Sequence, residues 1–508
     1  MNQTECTGPL ELFQVGRQQV TVSFNGGDVV SDAGLLAVRQ LDRELGILAE
    51  AAQRLPDPRS ELFVVHSAER ILTQQVYQIL AGYPDGNDAQ LLRDDPLFKT
   101  IVGIDPRETE QSLASGSTLN RFQHAFTRRE AHKPIEEREV IFEVRQAQIE
   151  RIKALNEFLV DVFVRTRKQQ PAEVIIDLDP TDDPTHGQQQ LSLFHGYYDQ
   201  HQYFPMLIFE GNTGIPLGAW LRPGTVGAGC GAVEMLQRIV DRLRQHWPDL
   251  SICVRGDCGL SGPEMYEYCE AEGLRYAFGY ATNAVLKRRI REEELKENAR
   301  LLWWMTGRRS FQMFHTFDDY QADSWPHPRR IVTKMEITRT GGSNIRHVVT
   351  NMTGFARDIY HGFYTQRGNV PERPIGELKN GLSMDRLSSH RFLANAHKLM
   401  VHVLAYLLHA LFREANADTP EISTMEVSTA RVRLFKVAAR VQATHRRVWF
   451  RVASHWPGGD LLRQAVAAVS RYIRELHELW RGMNLFVRGD LYSPHDRAHI
   501  QFAPVLLK

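Results

Sequence analysis

Hydrophobic and polar positions follow two textures along the chain, and the change falls near residue 169. Before it, apolar residues recur every three or four positions, the spacing of one buried helical face. DAGLLAVRQLDRELGILAEAAQRL reads as a helix with Ser31 or Asp32 as its cap. AERILTQQVYQILAGY reads as a second, stopped between Pro84 and Gly86. STLNRFQHAF reads as a short third, capped by Ser117 or Thr118. A long charged helix is predicted from about Glu136 to Arg167. Ahead of these, QVTVSF is a short strand ended by Asn25, Gly26 and Gly27.

After residue 169 the pattern shortens to strand length. VIIDLDP, Val174 to Pro180, is a β-branched run that ends in acid and a turn. LFHGYYDQ, YFPMLIFEG and IPLGAWLRPG alternate after it. The helix AVEMLQRIVDRLRQHW, the strand LSICVRGD, the helix MYEYCEAEG and the strand LRYAFGYAT follow. Three consecutive strands, then helix, strand, helix, strand, predict a mixed α/β sheet rather than a doubly wound one. From Asn283 to Asn344 the pattern loosens into a charged helix, VLKRRIREEELKENARLLWW, and two strands, and reads as a β-rich insertion. HVVTNM then returns to the main sheet, and helices run on to about Arg481 before an irregular apolar tail. The expected organisation is a helical region over 1–168, a core over 169–282 and 345–416 interrupted by 283–344, and a helical basic region over 417–508.

Composition adds exclusions. The 508 residues are 43% hydrophobic and 24% charged, ordinary for a globular protein of several domains. Lys plus Arg and Asp plus Glu both number 61, which excludes a uniformly basic coat but not a locally basic face. Five cysteines without a CxxC pair point to a reducing compartment. The first residues lack the basic and apolar segments of a secretory signal. KLMVHVLAYLLHALF, Lys398 to Phe412, is shorter than the ~20 residues of a membrane span and carries His402 and His409, so a buried core helix is expected. The expected location is cytoplasmic.

The candidate chemistry is acidic. Asp179 closes VIIDLD and Asp257 closes SICVRGD, both at strand ends. Asp177 and Asp179 share a face because strand side chains alternate. A third acid lies in YTQRGNVPERPIGELKNG, at Glu372 or Glu377. Carboxylates gathered together repel unless a cation lies between them. Hard oxygen donors favour Mg²⁺ or Mn²⁺, and two such ions suit phosphoryl transfer.

DLDPTDDPTHGQQQ, VRGDCG and YTQRGNVPERPIGELKNG, in this order, resemble the catalytic core of bacterial insertion-sequence transposases of the DDE type, with a ribonuclease-H-like fold. The last stretch resembles the signature of the YREK branch: Tyr364 and Arg367 have its gap, and Glu372 and Lys379 have its six intervening residues. The Arg-to-Glu gap departs from it, holding four residues rather than three, and the lysine spacing favours Glu372. The resemblance spans Glu173 to Leu399. It implies that Asp179, Asp257 and Glu372 hold two metal ions, and that Tyr364, Arg367 and Lys379 contact phosphates at the element's end. It further implies binding of terminal inverted repeats, strand cleavage and transfer into target DNA, and a homodimer in the active complex, nucleoid-associated when on DNA. Such relatives hold a flipped base on an aromatic residue, for which Trp303, Trp304 and Trp325 stand in the insertion, though core packing is commoner for tryptophan.

Two further segments read as nucleic-acid contacts. STLNRF offers Thr118, Asn120 and Arg121, types that bind phosphates and base edges. Arg431 to Arg451 contains no Asp or Glu and interleaves Arg446 and Arg447 with Phe435, Trp449 and Phe450; a basic solvated face is the plainer reading. Asp182, Asp183 and His186 support the turn after Asp179 or stand behind the metal ligands. GTVGAGCGAVEML misses the dinucleotide-binding spacing. The alternatives to transposition are a metal-dependent nuclease without strand transfer and a catalytically silent DNA-binding regulator.

Overall fold

The computed structural model describes residues 9–55, 57, 59, 64–124, 138–369 and 372–482. The apolar tail and the end of STLNRFQHAF lie outside them.

Eight strands form the main sheet: β1 (Glu173–Pro180), β2 (Met206–Glu210), β3 (Pro216–Trp220), β4 (Ser251–Gly256), β5 (Arg275–Tyr280), β6 (Phe311–Tyr320), β7 (Arg329–Ile337) and β8 (Ser343–Thr350). Their order across the sheet is β6-β7-β8-β5-β4-β1-β2-β3. β1, β2 and β3 pair antiparallel, as hairpin-connected strands must. β4 lies parallel to β1, and β5 parallel to β4. Parallel neighbours need a crossover, supplied by the helices Ala232–His246 and Pro263–Ala271. This is the mixed α/β sheet that the order of elements predicts.

The structure corrects several local readings. LFHGYYDQ does not join the main sheet. Leu193–His195 pairs with Gln200–Tyr203, which pairs with Asp183–Pro184, making a small separate sheet between β1 and β2. Alternation identifies a strand but not the sheet it enters, and Gly187 at φ 86° turns the chain aside. The first predicted helix is two, Leu35–Leu45 and Ile47–Gln53, because Gly46 is left-handed at φ 65°. The cap of Gly116–Gln123 is Ser115, whose hydroxyl accepts the Thr118 N–H. The charged helix of the 283–344 stretch breaks at Glu294, φ 48°, into Ala284–Glu292 and Leu295–Thr306. β6 and β7 in that stretch continue the main sheet through β8. The basic stretch Arg431 to Arg451 is not mainly helical: after a short turn it forms a hairpin, Ala439–Ala443 with Val448–Val452, paired to Val29–Val30.

Helix Phe392–Ala415 is the central core element, buried on almost every face. It packs against helices Ala68–Ala81 and Arg138–Arg165 and against β3. His397, His402 and His409 are buried in it, and burial keeps them neutral, the first two at about 3. Among the described residues, no helix is long and apolar enough to cross a membrane.

Candidate active site

The parallel register sets the first two acids side by side. Leu178 of β1 stands opposite Gly256 of β4, so Asp179 and Asp257 leave the same end of adjacent strands. The extended backbone of Asp257 lets its Oδ1 accept the N–H groups of Gly259 and Leu260, at 2.9 and 3.2 Å. That fixes the carboxylate before any ligand arrives. Asp179 is largely buried, and burial pushes its carboxyl up to about 7. Arg367, 3.5 Å away, opposes the rise, while Asp257, Asp177 and Glu372 add to it. Asp257 and Glu372 therefore both repel the charge of Asp179. Glu372 is exposed at the start of the short helix Glu372–Gly376.

The cationic residues of the motif face separate acids, Arg367 facing Asp179 and Lys379 facing Asp182. Arg367 keeps its Nε buried without a hydrogen-bond partner among the described residues. Tyr364 packs beside it; burial raises its hydroxyl, against the pull of Arg367. A Cβ at Gly279 of β5 would lie 2.6 Å from the Tyr364 Oη, so only glycine leaves room there. Lys379 Nζ stands 2.7 Å from Asp182 Oδ1. Burial would raise Asp182, but Lys379 and Gln200 hold it below the usual carboxylate range.

Residues 13–474 match the family described as Transposase DDE domain group 1. The chain belongs to the DDE transposases. No curated protein matches it. Among solved structures it is similar to the piggyBac transposase in a synaptic complex with hairpin DNA, at 11% identity and a TM-score of 0.41, over 91% of this chain and 87% of that one.

DDE transposases generally use divalent metals, and the donors here fit such an ion. All are hard carboxylate oxygens, and Asp179, pushed up by burial and then by the neighbouring acids, gains from a cation. Their side chains share a neighbourhood without converging on a single point. Among the described residues, no three His, Cys, Asp or Glu form a group that would hold a metal ion.

The other glutamate of the transposase motif has a different setting. Glu377 is buried, with Oε1 at 2.7 Å from Arg413 and 3.2 Å from Arg373, and Oε2 accepting the Val427 N–H at 3.0 Å. Its oxygens are committed to packing the central helix.

A pair that sequence reading missed lies directly behind Asp179. Arg255 of β4 reaches across to Asp177 of β1, both fully buried. Its Nη1 also donates to the Phe363 carbonyl at 2.8 Å, and its guanidinium lies over the Phe363 ring. Arg255 thus ties the two acid-bearing strands to the residue before Tyr364. The one available signal is an arginine inside an otherwise apolar strand, SICVRG.

Asp182 and Asp183 separate in role. Asp182 faces Lys379, while Asp183 is buried with neither oxygen hydrogen-bonded among the described residues, and burial then Asp385 push it up to about 8. The remaining sequence candidates are scattered. Arg121 is exposed on its helix and donates to Thr118 Oγ1 at 3.2 Å. Arg446 and Arg447 occupy the turn of the basic hairpin. No hydrogen bond or ion pair among the described residues joins these three arginines to the acids. Trp325 is core, ringed by Tyr266, Tyr280 and Tyr320; Trp303 is half-buried and Trp304 is 77% exposed.

Proposed function

We propose that this transposase mobilises an insertion sequence of the YREK branch in a bacterial host. It binds the terminal inverted repeats, cleaves the phosphodiester at the element's end and joins the freed 3′-hydroxyl to target DNA. The carrying observation is the adjacency of Asp179 and Asp257 on parallel strand ends within the field of Glu372.

In this reading Asp179, Asp257 and Glu372 hold two Mg²⁺ or Mn²⁺ ions, which when bound polarise the phosphate and activate the attacking oxygen. Asp257 is pre-oriented by two backbone N–H groups, so ordering it costs little at the moment of binding. Arg367, paired with Asp179 at 3.5 Å, would offer its guanidinium fork to phosphate oxygens where that carboxylate is engaged by a metal ion. Tyr364 adds one neutral donor, and Lys379 a mobile point charge. Arg121, Arg446 and Arg447 contact the DNA backbone from the regions 1–168 and 417–508 that flank the core. Two ends require two copies, so the active complex is a homodimer, working in the cytoplasm on the nucleoid.

The test is strand cleavage with Mg²⁺ on DNA carrying the sequences that flank this reading frame, comparing wild type with Asp257→Ala. Cleavage at the element boundary, lost in the variant, supports the proposal. Specific binding without cleavage by either protein replaces it with the regulator. Cleavage by wild type together with failure to join a supplied pre-cut end leaves a nuclease.

A further inference from the structure

β3 runs in the same direction as β1, because each pairs antiparallel with β2. Its C-terminal end therefore opens at the sheet end where Asp179 and Asp257 emerge. The chain leaves that end through Arg222 and a glycine-rich loop, residues 223–231, before entering helix Ala232–His246.

Arg222 is 5% exposed. Its Nε donates to the Phe204 carbonyl at 2.9 Å. Its Nη1 donates to the carbonyls of Ala228 and Cys230, at 2.8 and 2.9 Å. The guanidinium lies over the Phe204 ring, and its Nη2 is buried without a hydrogen-bond partner among the described residues. Burial lowers the guanidinium to about 10, and the charges of Cys230 and then Asp257 oppose that fall. A buried cation held by carbonyls alone is costly, and an apolar side chain would serve simple packing better. What the fork supplies is a fixed loop: it fastens residues 228 and 230 to the chain entering β2.

The inner wall of this loop meets the turn after Asp257. A Cβ at Gly259 would stand 2.6 Å from the Ala228 Cβ and 3.2 Å from Asp257 Oδ1. One at Gly229 would stand 3.5 Å from the Gly259 carbonyl oxygen. Gly259 is not left-handed, so its backbone would accept a side chain and only the lack of space refuses one. The Gly259 N–H is in turn one of the two donors that hold the Asp257 carboxylate.

We propose that Arg222 is a positioning residue for metal binding at Asp257: it clamps residues 228–230 against Gly259, and the clamped loop holds the turn that aims the carboxylate. Groups standing behind a metal ligand fix its orientation, and losing one costs roughly 10–100-fold in metal affinity. The inference rests on the reading of Asp257 as a metal ligand and adds what keeps that ligand in place.

The metal-free, full-length protein is titrated with Mn²⁺ by calorimetry, with melting recorded alongside. Arg222→Met keeps the length of the side chain without its fork, and is expected to weaken Mn²⁺ binding about ten-fold, the low end for loss of such support. Gly259→Ala is expected to weaken binding comparably by pushing Ala228 off the turn. Adding Ala228→Gly to that variant removes the methyl in the way and is expected to recover most of the loss, which a general defect in folding would not allow. Should Arg222→Met fail to fold, the Gly259 pair decides alone. Wild-type affinity in folded Arg222→Met or in Gly259→Ala overturns the inference, as does a Gly259→Ala loss that Ala228→Gly leaves untouched; the metal reading of Asp257 then still stands. Failure of wild type to bind Mn²⁺ removes that reading, and the role of Arg222 with it.

Discussion

Arg255 grips Asp177 through two 2.6 Å hydrogen bonds in the interior of the sheet, one residue pair away from where Asp257 and Asp179 emerge. A buried ion pair of this kind adds little net stability when intact, but removing one partner leaves a bare charge and costs about 3–5 kcal/mol. Arg255→Ala is expected to lower stability by that amount in urea denaturation. Arg255→Lys keeps the charge but not the fork, and is expected to lose the hold on Phe363 and with it part of the cleavage rate. A variant as stable as wild type contradicts the role given to the pair.

The two glutamates of the late motif separate by experiment. Glu372→Gln changes an exposed side chain and is expected to abolish metal-dependent cleavage with an unchanged melting temperature. Glu377→Ala strips the partner from Arg413 and is expected to cost about 3–5 kcal/mol. Measuring both variants for melting and cleavage checks the assignment; the reverse pattern sinks it.

Asp179 makes stability depend on pH. Its folded carboxyl titrates at about 7 against 3.8 for the ordinary group, so the folded state holds a proton that the unfolded state releases. Its contribution is complete below about 4 and is lost as pH rises through 7. In metal-free protein, Asp179→Asn is expected to flatten the fall in melting temperature across that window. Added Mg²⁺ should stabilise wild type more at pH 8 than at pH 5.5, and should not do so in the variant.

Asp183 follows the same sign, with its carboxyl pushed up to about 8. Among the described residues neither of its oxygens has a hydrogen-bond partner, so no hydrogen bond to them is lost on substitution. Asp183→Asn is expected to raise the melting temperature above pH 8 and to change little at pH 5. A drop at both pH values would mean the side chain has a partner that the fold conceals.

Gly279 gives a steric test. Alanine there would meet the Tyr364 hydroxyl at 2.6 Å and the Cys258 N–H nitrogen at 3.0 Å, so both flanks of the acid site must shift. Gly279→Ala is expected to lower cleavage several-fold while Gly262→Ala, in open space, leaves it alone. Cleavage assays on the two variants decide it.

What the sequence shows of the site is local. Asp179 and Asp257 stand out because each ends a β-branched run, and the spacing of Tyr364, Arg367, Glu372 and Lys379 is contained in one segment. What it hides is partnership at a distance. Nothing near Asp177 names Arg255, nor does anything near Glu377 name Arg413. Those contacts depend on strand order and on the packing of a helix that starts well after the motif. The same limit applies to the sheet. Alternation marks β6 and β7 as strands, but whether they stand apart or extend β8 is decided by edge hydrogen bonds. The left-handed turns at Gly46 and Glu294 cut helices whose apolar spacing runs straight through them.

Helix Phe392–Ala415 touches the early helices Ala68–Ala81 and Arg138–Arg165 as closely as it touches the sheet edge at β3. Further round, Ala33 and Gly34 bond to the backbone of Val437 and Phe435, and Lys436 pairs with Asp32. Segments from early and late in the chain are thus woven through one interior. Such a protein cannot trade its opening segment for another's as a cassette. Any drift in the surfaces at either end is inherited together with the sheet that carries Asp179 and Asp257, and a new specificity must evolve by point change on a shared frame.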